Sequence, residues 1–255
     1  MKIAVNTRLL IKDKLDGIGW FTYETLKRIT TDHPEHEFLF FFDRKFHNDF
    51  VFSGNVKPVV IFPPTRHPFL WYYWFEYAIP LFLKREEADI FVSPDGYLSL
   101  RTKVPQVSII HDINFYHRPD DLPYFSRKYY NYFFPKFANK ATRIGTVSNY
   151  SRKDICFHYD VSEQKVDVLY NGANEIYKPL DHNVIENTRK EVAGGFPYFI
   201  FIGTLHPRKN IPGLLKAYEK FRSKSGQQEK LVIVGERFFL TQEIAQTLRS
   251  MKFND

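Results

Sequence analysis

The stretch FIGTLHPRKN, residues 201–210, concentrates charge where the chain turns from a strand into a helix. The apolar run Phe199–Ile202 reads as a buried strand ending at Gly203. Asn210 precedes IPGLLKAYEKF, which reads as a capped helix. Arg208 and Lys209 therefore stand at a helix start, where peptide dipoles already present positive charge and favour an anion. Two cations there oppose the dipole unless a multiply charged anion sits among them. At an effective dielectric of about 20, a cation about 4 Å from a phosphate charge contributes about 4 kcal/mol before desolvation. The alternative is a solvated basic turn with Asn210 as the cap.

Three other places carry residues suited to chemistry. Gly17 and Gly19 open a helix, where absent side chains let a phosphate approach free N–H groups; a plain flexible loop is the alternative. A dinucleotide fingerprint fits poorly. Thr22 stands where its third glycine belongs, and the loop after the first strand is too long, although Asp43 after the second strand suits a ribose. IIHD at 109–112 puts His111 and Asp112 at the C-terminal end of a strand, the edge where open α/β sheets bind ligands. His111 can donate to a phosphate or sugar hydroxyl, and Asp112 can hold a hydroxyl or orient the imidazole; a structural histidine is the other reading. Ser148 and Asn149 in GTVSNYS suit a helix cap, and Asn171-Gly172 suits a turn.

Metal and disulfide chemistry are not expected. Cys156 is the only cysteine, so an intrachain disulfide and a cysteine-rich zinc site are excluded. His117 follows His111 by six residues, with no helical pairing and no evident third ligand. The net charge of +7 suits an anionic substrate or membrane surface, or serves solubility alone. Basic residues are dispersed, with no nucleic-acid module, so nucleic acid is not an expected partner. No apolar run reaches the length of a membrane helix, and MKIAVNTRLL does not read as a signal peptide, so the cytoplasm is the expected compartment.

The elements that must position these residues alternate. Strands are expected at 2–7, 37–42, 56–62, 88–93, 105–112, at ATRIGTVS and at KVDVLYNG, with helices between them. Pro80 should bend or split the aromatic helix at 68–85. That alternation implies a parallel, doubly wound α/β domain, here 1–178. Residues 173–195 read as a polar, irregular linker. A second unit over 190–255 holds strands at 197–203 and 230–235 and helices at 210–223 and 240–251. It reads as cut short, because two strands bury little apolar surface.

The ordered set GIGWFTYETL, IIHD, GTVSNYSRKDI, LYNGA and FIGTLHPRKNIPGLLKAY resembles the family 4 glycosyltransferases over nearly the whole chain. The resemblance implies a GT-B architecture: a complete N-terminal Rossmann-like acceptor domain, plus the first part of a second Rossmann-like domain for a nucleotide diphosphate-sugar. It implies retaining transfer to a glycan or lipid-linked acceptor in cell-surface polysaccharide or glycolipid synthesis, with no metal or cofactor. Gly17, Gly19, Ser148, Asn171, Gly203, Thr204, Arg208 and Lys209 then belong to the donor site, and His111 and Asp112 to the catalytic centre. Thr204 stands where some members carry another arginine. The nucleotide-base pocket and a spaced glutamate pair of the family lie beyond this chain's expected elements. Glu236 and Glu243 come too early and too close together to be that pair. The chain alone is therefore expected to have little or no transferase activity. A non-catalytic binding module derived from such an enzyme is the alternative. The stretch FLWYYWFEYAIPLFLKR reads either as core or as a peripheral membrane helix, with Trp71, Tyr72 and Trp74 at the interface and Lys84 and Arg85 toward anionic headgroups.

Overall fold

Strands form where aromatic and β-branched residues run together, and in the computed structural model, which describes residues 1–235 and 242–253, nine of them are parallel. The chain runs β1 (Lys2–Asn6), α1 (Gly17–Asp32), β2 (Glu37–Phe42), β3 (Val56–Val60), α2 (Pro68–Tyr73), α3 (Ile79–Arg85), β4 (Ile90–Ser93) and β5 (Gln106–Ile109). It continues through α4 (Asn114–His117), α5 (Tyr124–Lys140), β6 (Arg143–Thr146), α6 (Asn149–Tyr159) and β7 (Val166–Val168). The remainder is α7 (His182–Ala193), β8 (Tyr198–Ile202), α8 (Ile211–Ser225), β9 (Lys230–Val234) and α9 (Gln242–Ser250). The chain divides into two compact units, Met1–Gly172 and Ala173–Asp255.

The first unit is a seven-stranded parallel sheet in the order β3-β2-β1-β4-β5-β6-β7. β2 is buried on both faces: Phe38, Phe40 and Phe42 pack with Val5, Leu26 and Phe50, while Leu39 and Phe41 join Trp74, Phe75 and Phe91 in the main core. That two-sided burial accounts for the unbroken EFLFFF run. Pro58 is tolerated because β3 is an edge strand. The strand order reverses between β1 and β4, which makes their C-terminal ends the switch point of the sheet.

Pro80 does split the aromatic helix. A π-type turn, Trp74–Ala78, separates α2 from α3, and Pro80 lies in the first turn of α3. A proline has no N–H for the fourth preceding carbonyl and its ring crowds that carbonyl. A widened turn relieves both.

The second unit pairs β8 with β9, Tyr198 to Lys230 through Ile202 to Val234. Phe201, Leu231 and Ile233 pack on Leu205, Ile211, Leu215, Tyr218, Ile244 and Met251. The expected burial of 199–202 is not found: Phe199 and Ile200 are half exposed and Ile202 is 73% exposed. Alternate residues of a strand point to opposite faces: Phe201 packs in this small core and Phe199, on the same face, meets the Phe221 ring edge to face at 5.3 Å, while Ile200 and Ile202 take the other face. The expected linker also differs, since half of it is α7, which packs beside β9 and ends on Gly194 in a left-handed conformation. Its apolar Val184, Ile185 and Val192 are spaced along a helix but lie scattered among polar neighbours.

Candidate functional site

At the switch point of the first unit, β1 and β4 end in polar residues that meet one another. Arg8 Nε donates to Asp95 Oδ2 at 2.6 Å, and its Nη1 reaches Thr65 Oγ1 at 3.2 Å. Asn6 Nδ2 donates to Asp95 Oδ1 at 2.7 Å and Ser93 Oγ at 3.0 Å. The guanidinium also lies over the Tyr97 ring, 4.1 Å from its centroid. Burial opposes the Arg8 charge, and Asp95 more than compensates, so the group stays charged. Asp43 extends the network: Thr65 donates to it through N and Oγ1, and Arg44 grips both of its oxygens. Burial raises the Asp43 pKa, but the bonds from Arg44 and Thr65 outweigh it and hold the carboxyl below its ordinary value. With both oxygens occupied and the side chain buried, Asp43 is a loop anchor and not an open ribose ligand. Arg8 and Asp95 escaped the sequence reading, because neither lies in a motif and only the fold brings residues 87 apart together.

His111 lies just beyond β5, half-buried. Its Nε2 is 2.8 Å from the Pro94 carbonyl oxygen, and its ring meets Phe21 of α1 edge to face at 4.9 Å. The residue that orients the imidazole is therefore Pro94 rather than Asp112. Asp112 is exposed, and its Oδ1 accepts from Asn114 N at 3.0 Å at the start of α4.

Gly17 and Gly19 occupy the first turn of α1 but differ. Asp16 caps the helix by accepting from Gly19 N at 2.8 Å, so that N–H is already engaged. A Cβ on Gly19 would press on the Leu9 carbonyl and the Leu15 side chain, whereas Gly17 faces open space. Ser148 caps α6, its hydroxyl accepting from Ser151 N at 3.0 Å. Asn171 is exposed in the irregular segment after β7, with no turn assigned at Asn171-Gly172.

In the second unit Gly203 adopts φ +153, a conformation suited to glycine, and its N–H is bonded to Val234 O at 2.9 Å. Thr204 is exposed beside it. Arg208 and Lys209 fall in a single 3-10 turn, Pro207–Lys209, that precedes α8. The His206 ring accepts from Arg208 N, and Asn210, in a left-handed conformation, caps α8 by accepting from Gly213 N at 3.2 Å. Both cations are exposed, and among the described residues neither has a carboxylate partner. Glu243 opens α9, and Glu236 lies outside the described residues.

The aromatic helix resolves into two kinds of residue. Trp74 is fully buried and its indole donates to Ile61 O at 2.9 Å; Trp71 is partly buried and donates to Thr65 O at 2.9 Å. Neither indole is placed for an interface. The exposed set is Phe69, Tyr73, Tyr77 and Leu81, spaced every fourth residue and 45–67% exposed, with Tyr72 beside it. Lys84 and Arg85 end the same segment. Among the described residues no helix is long and apolar enough to cross a membrane.

Comparison with known proteins bears on both units. The sequence profile of Glycosyltransferase Family 4 matches residues 15–175, more than half of the chain. The chain belongs to glycosyltransferase family 4. The profile of Glycosyl transferases group 1 matches residues 184–251. This family 4 chain is 26% identical over 250 residues to O-antigen chain mannosyltransferase B of Escherichia coli, covering 93% of this chain and 65% of that protein. It is 24% identical over 152 residues to O-antigen chain mannosyltransferase RfbU of Salmonella typhimurium, covering 58% and 38%. The chain thus spans less than two-thirds of the length of either relative. Its fold is that of GT-B glycosyltransferases. Anabaena HepE, solved in complex with UDP-glucose, aligns with a TM-score of 0.65 at 17% identity, over 98% of this chain and 64% of that one. WaaG, a glycosyltransferase involved in lipopolysaccharide biosynthesis, aligns with a TM-score of 0.65 at 10% identity, over 96% and 67%.

Proposed function

We propose that the chain provides the acceptor-side domain and the diphosphate-binding turn of a retaining glycosyltransferase. The reaction moves a sugar from a nucleotide diphosphate-sugar to a glycan or lipid-linked acceptor in cell-surface polysaccharide synthesis. The observation that carries this reading is the Arg208–Lys209 turn, exposed and without a carboxylate partner among the described residues, within a chain matched to this family. The O-antigen mannosyltransferase names of two relatives, and the UDP-glucose complex of HepE, support the substrate class.

In this reading negative charge builds on the diphosphate as the bond from sugar to oxygen breaks. Fixed cations at the turn then stabilise the transition state more than the ground state. They supply charge that a divalent metal supplies in other transferases, and no cofactor is needed beyond the sugar nucleotide. The departing phosphate takes the proton of the acceptor hydroxyl on the same face of the sugar. His111 presents Nδ1, since Nε2 is committed to Pro94, and that nitrogen meets the transferred sugar. Asp112 stays a candidate for a hydroxyl contact through its exposed oxygen. Gly17 contributes open space for the diphosphate. The acceptor domain also touches an anionic membrane through Phe69, Tyr73, Tyr77 and Leu81, with Lys84 and Arg85 toward the headgroups. Calorimetric titration of UDP- and GDP-sugars tests the donor assignment. Binding that Arg208→Ala and Lys209→Ala weaken supports it; no binding of any nucleotide diphosphate favours a non-catalytic module.

A further inference from the structure

His117 has no metal-binding partner in its own sequence neighbourhood, but the fold supplies two. Its Nε2 lies 2.9 Å from both carboxylate oxygens of Asp154. His158, one helical turn after Asp154 on α6, brings its Nε2 to 3.4 Å from Asp154 Oδ1. One ligand atom from each of the three residues lies within 4.8 Å of the others. The His117 and His158 rings are 5.1 Å apart at 79°. Two imidazoles and a carboxylate converging from separate segments match the donor set and spacing of a zinc-type site. Such a metal binds nitrogen and oxygen at about 2.0–2.2 Å and so draws ligand atoms to about this mutual separation.

The surroundings suit a bound ion better than a chance surface pair. Asp154 is 12% exposed and His158 20%, with Tyr116 packed on the His158 ring at 4.4 Å. On the same helix the Tyr159 hydroxyl is buried and has no hydrogen-bond partner among the described residues. It is an unpaired donor on the helix that carries two of the three ligands, the kind of group that metal sites use to orient them.

We propose that His117, Asp154 and His158 form a three-ligand site for a divalent transition metal of the zinc class, with its fourth position open to water. Each Nε2 gives up its hydrogen on binding, to Nδ1 or to solvent. The ion ties α4 to α6, and so fixes the segment that begins with His111 and Asp112. This site lies in the first unit, whereas the Arg208–Lys209 turn belongs to the second; it serves position and stability.

The test uses the full chain, stripped with chelator and titrated with zinc chloride at about pH 7.5, where an ordinary imidazole is mostly neutral. The expected result is one equivalent bound, a rise in thermal midpoint, and visible absorption of tetrahedral type when cobalt replaces zinc. His117→Ala, at an exposed position, and His158→Ala each abolish stoichiometric binding while circular dichroism stays unchanged. Tyr159→Phe weakens it by about tenfold. The double variant His33→Ala/His36→Ala, at the other group of two histidines and a carboxylate among the described residues, leaves it intact. The proposal is overturned if the chain binds no equivalent of zinc, or if binding survives His117→Ala and His158→Ala, or if it is lost with His33 and His36 instead.

Discussion

His111 and Pro94 are joined by a 2.8 Å contact between Nε2 and the carbonyl oxygen. A carbonyl can only accept, so Nε2 carries the hydrogen and, in the neutral ring, Nδ1 keeps its lone pair. Proton-detected nitrogen spectra of the imidazole should report the Nε2–H tautomer. His111→Phe keeps the packing on Phe21 but leaves the Pro94 oxygen unpaired, and should lower stability by about 1 kcal/mol. An Nδ1–H tautomer contradicts the Nε2–H bond to Pro94 and an acceptor role for Nδ1 toward the sugar.

Asp43 sets a pH dependence with a defined sign. Its folded pKa lies below the ordinary carboxylate value because the bonds from Arg44 and Thr65 outweigh burial. The stabilisation is complete above the unfolded value of about 4 and is lost as pH falls through the lower folded value. Asp43→Asn should cost about 2–3 kcal/mol at neutral pH, discounted because Arg44 is partly exposed. The gap from the parent should narrow in acid. Denaturant melts at neutral and acid pH measure it; a constant gap removes Asp43 as the source.

Gly213 answers to Asn210. A Cβ at Gly213 would come within 2.5–2.8 Å of the Asn210 side chain that caps α8. Gly213→Ala should therefore cost about 1 kcal/mol through the displaced cap. In an Asn210→Ala background the clash is gone, and the same substitution should stabilise through helix propensity, by up to about 1 kcal/mol. A double-mutant cycle that shows simple additivity rejects this coupling.

The exposed stripe predicts membrane behaviour. Serine at Phe69, Tyr73, Tyr77 and Leu81 together should abolish co-sedimentation with vesicles containing anionic lipid and leave the thermal midpoint near its parent value. Serine at Tyr150 and Phe157, which are exposed elsewhere on the first unit, should leave sedimentation intact. Parent protein that ignores both anionic and neutral vesicles removes the membrane contact.

The sheet was legible because each strand carries its own apolar run. EFLFFF could hardly be anything but a strand covered on both sides, and Pro80 announced the break in the aromatic helix. The helix α7 was hidden by charged neighbours, and the exposure of β8 depends on what lies over each face, which a local pattern does not encode. For the site, motif residues were visible one at a time. Their partners were not: Pro94 for His111, Asp16 for Gly19, Asp154 and His158 for His117. Each is a contact made by the fold between segments or by a rotamer within a turn. Trp71 and Trp74 left core and interface both open for a related reason, since a tryptophan suits either until its indole partner is known, and the structure puts them in or against the core.

Whether Arg208 and Lys209 hold a diphosphate is tested most directly by calorimetric titration of the full chain with UDP, GDP and inorganic pyrophosphate, the last as a probe that carries no base. Binding should weaken with rising salt, as expected for exposed charges. Arg208→Ala and Lys209→Ala should each reduce the affinity by about tenfold or more, the scale of a charge-assisted contact, without changing the melt. Diphosphate binding that is unaltered in both variants, or undetectable in the parent chain, would contradict the diphosphate assignment.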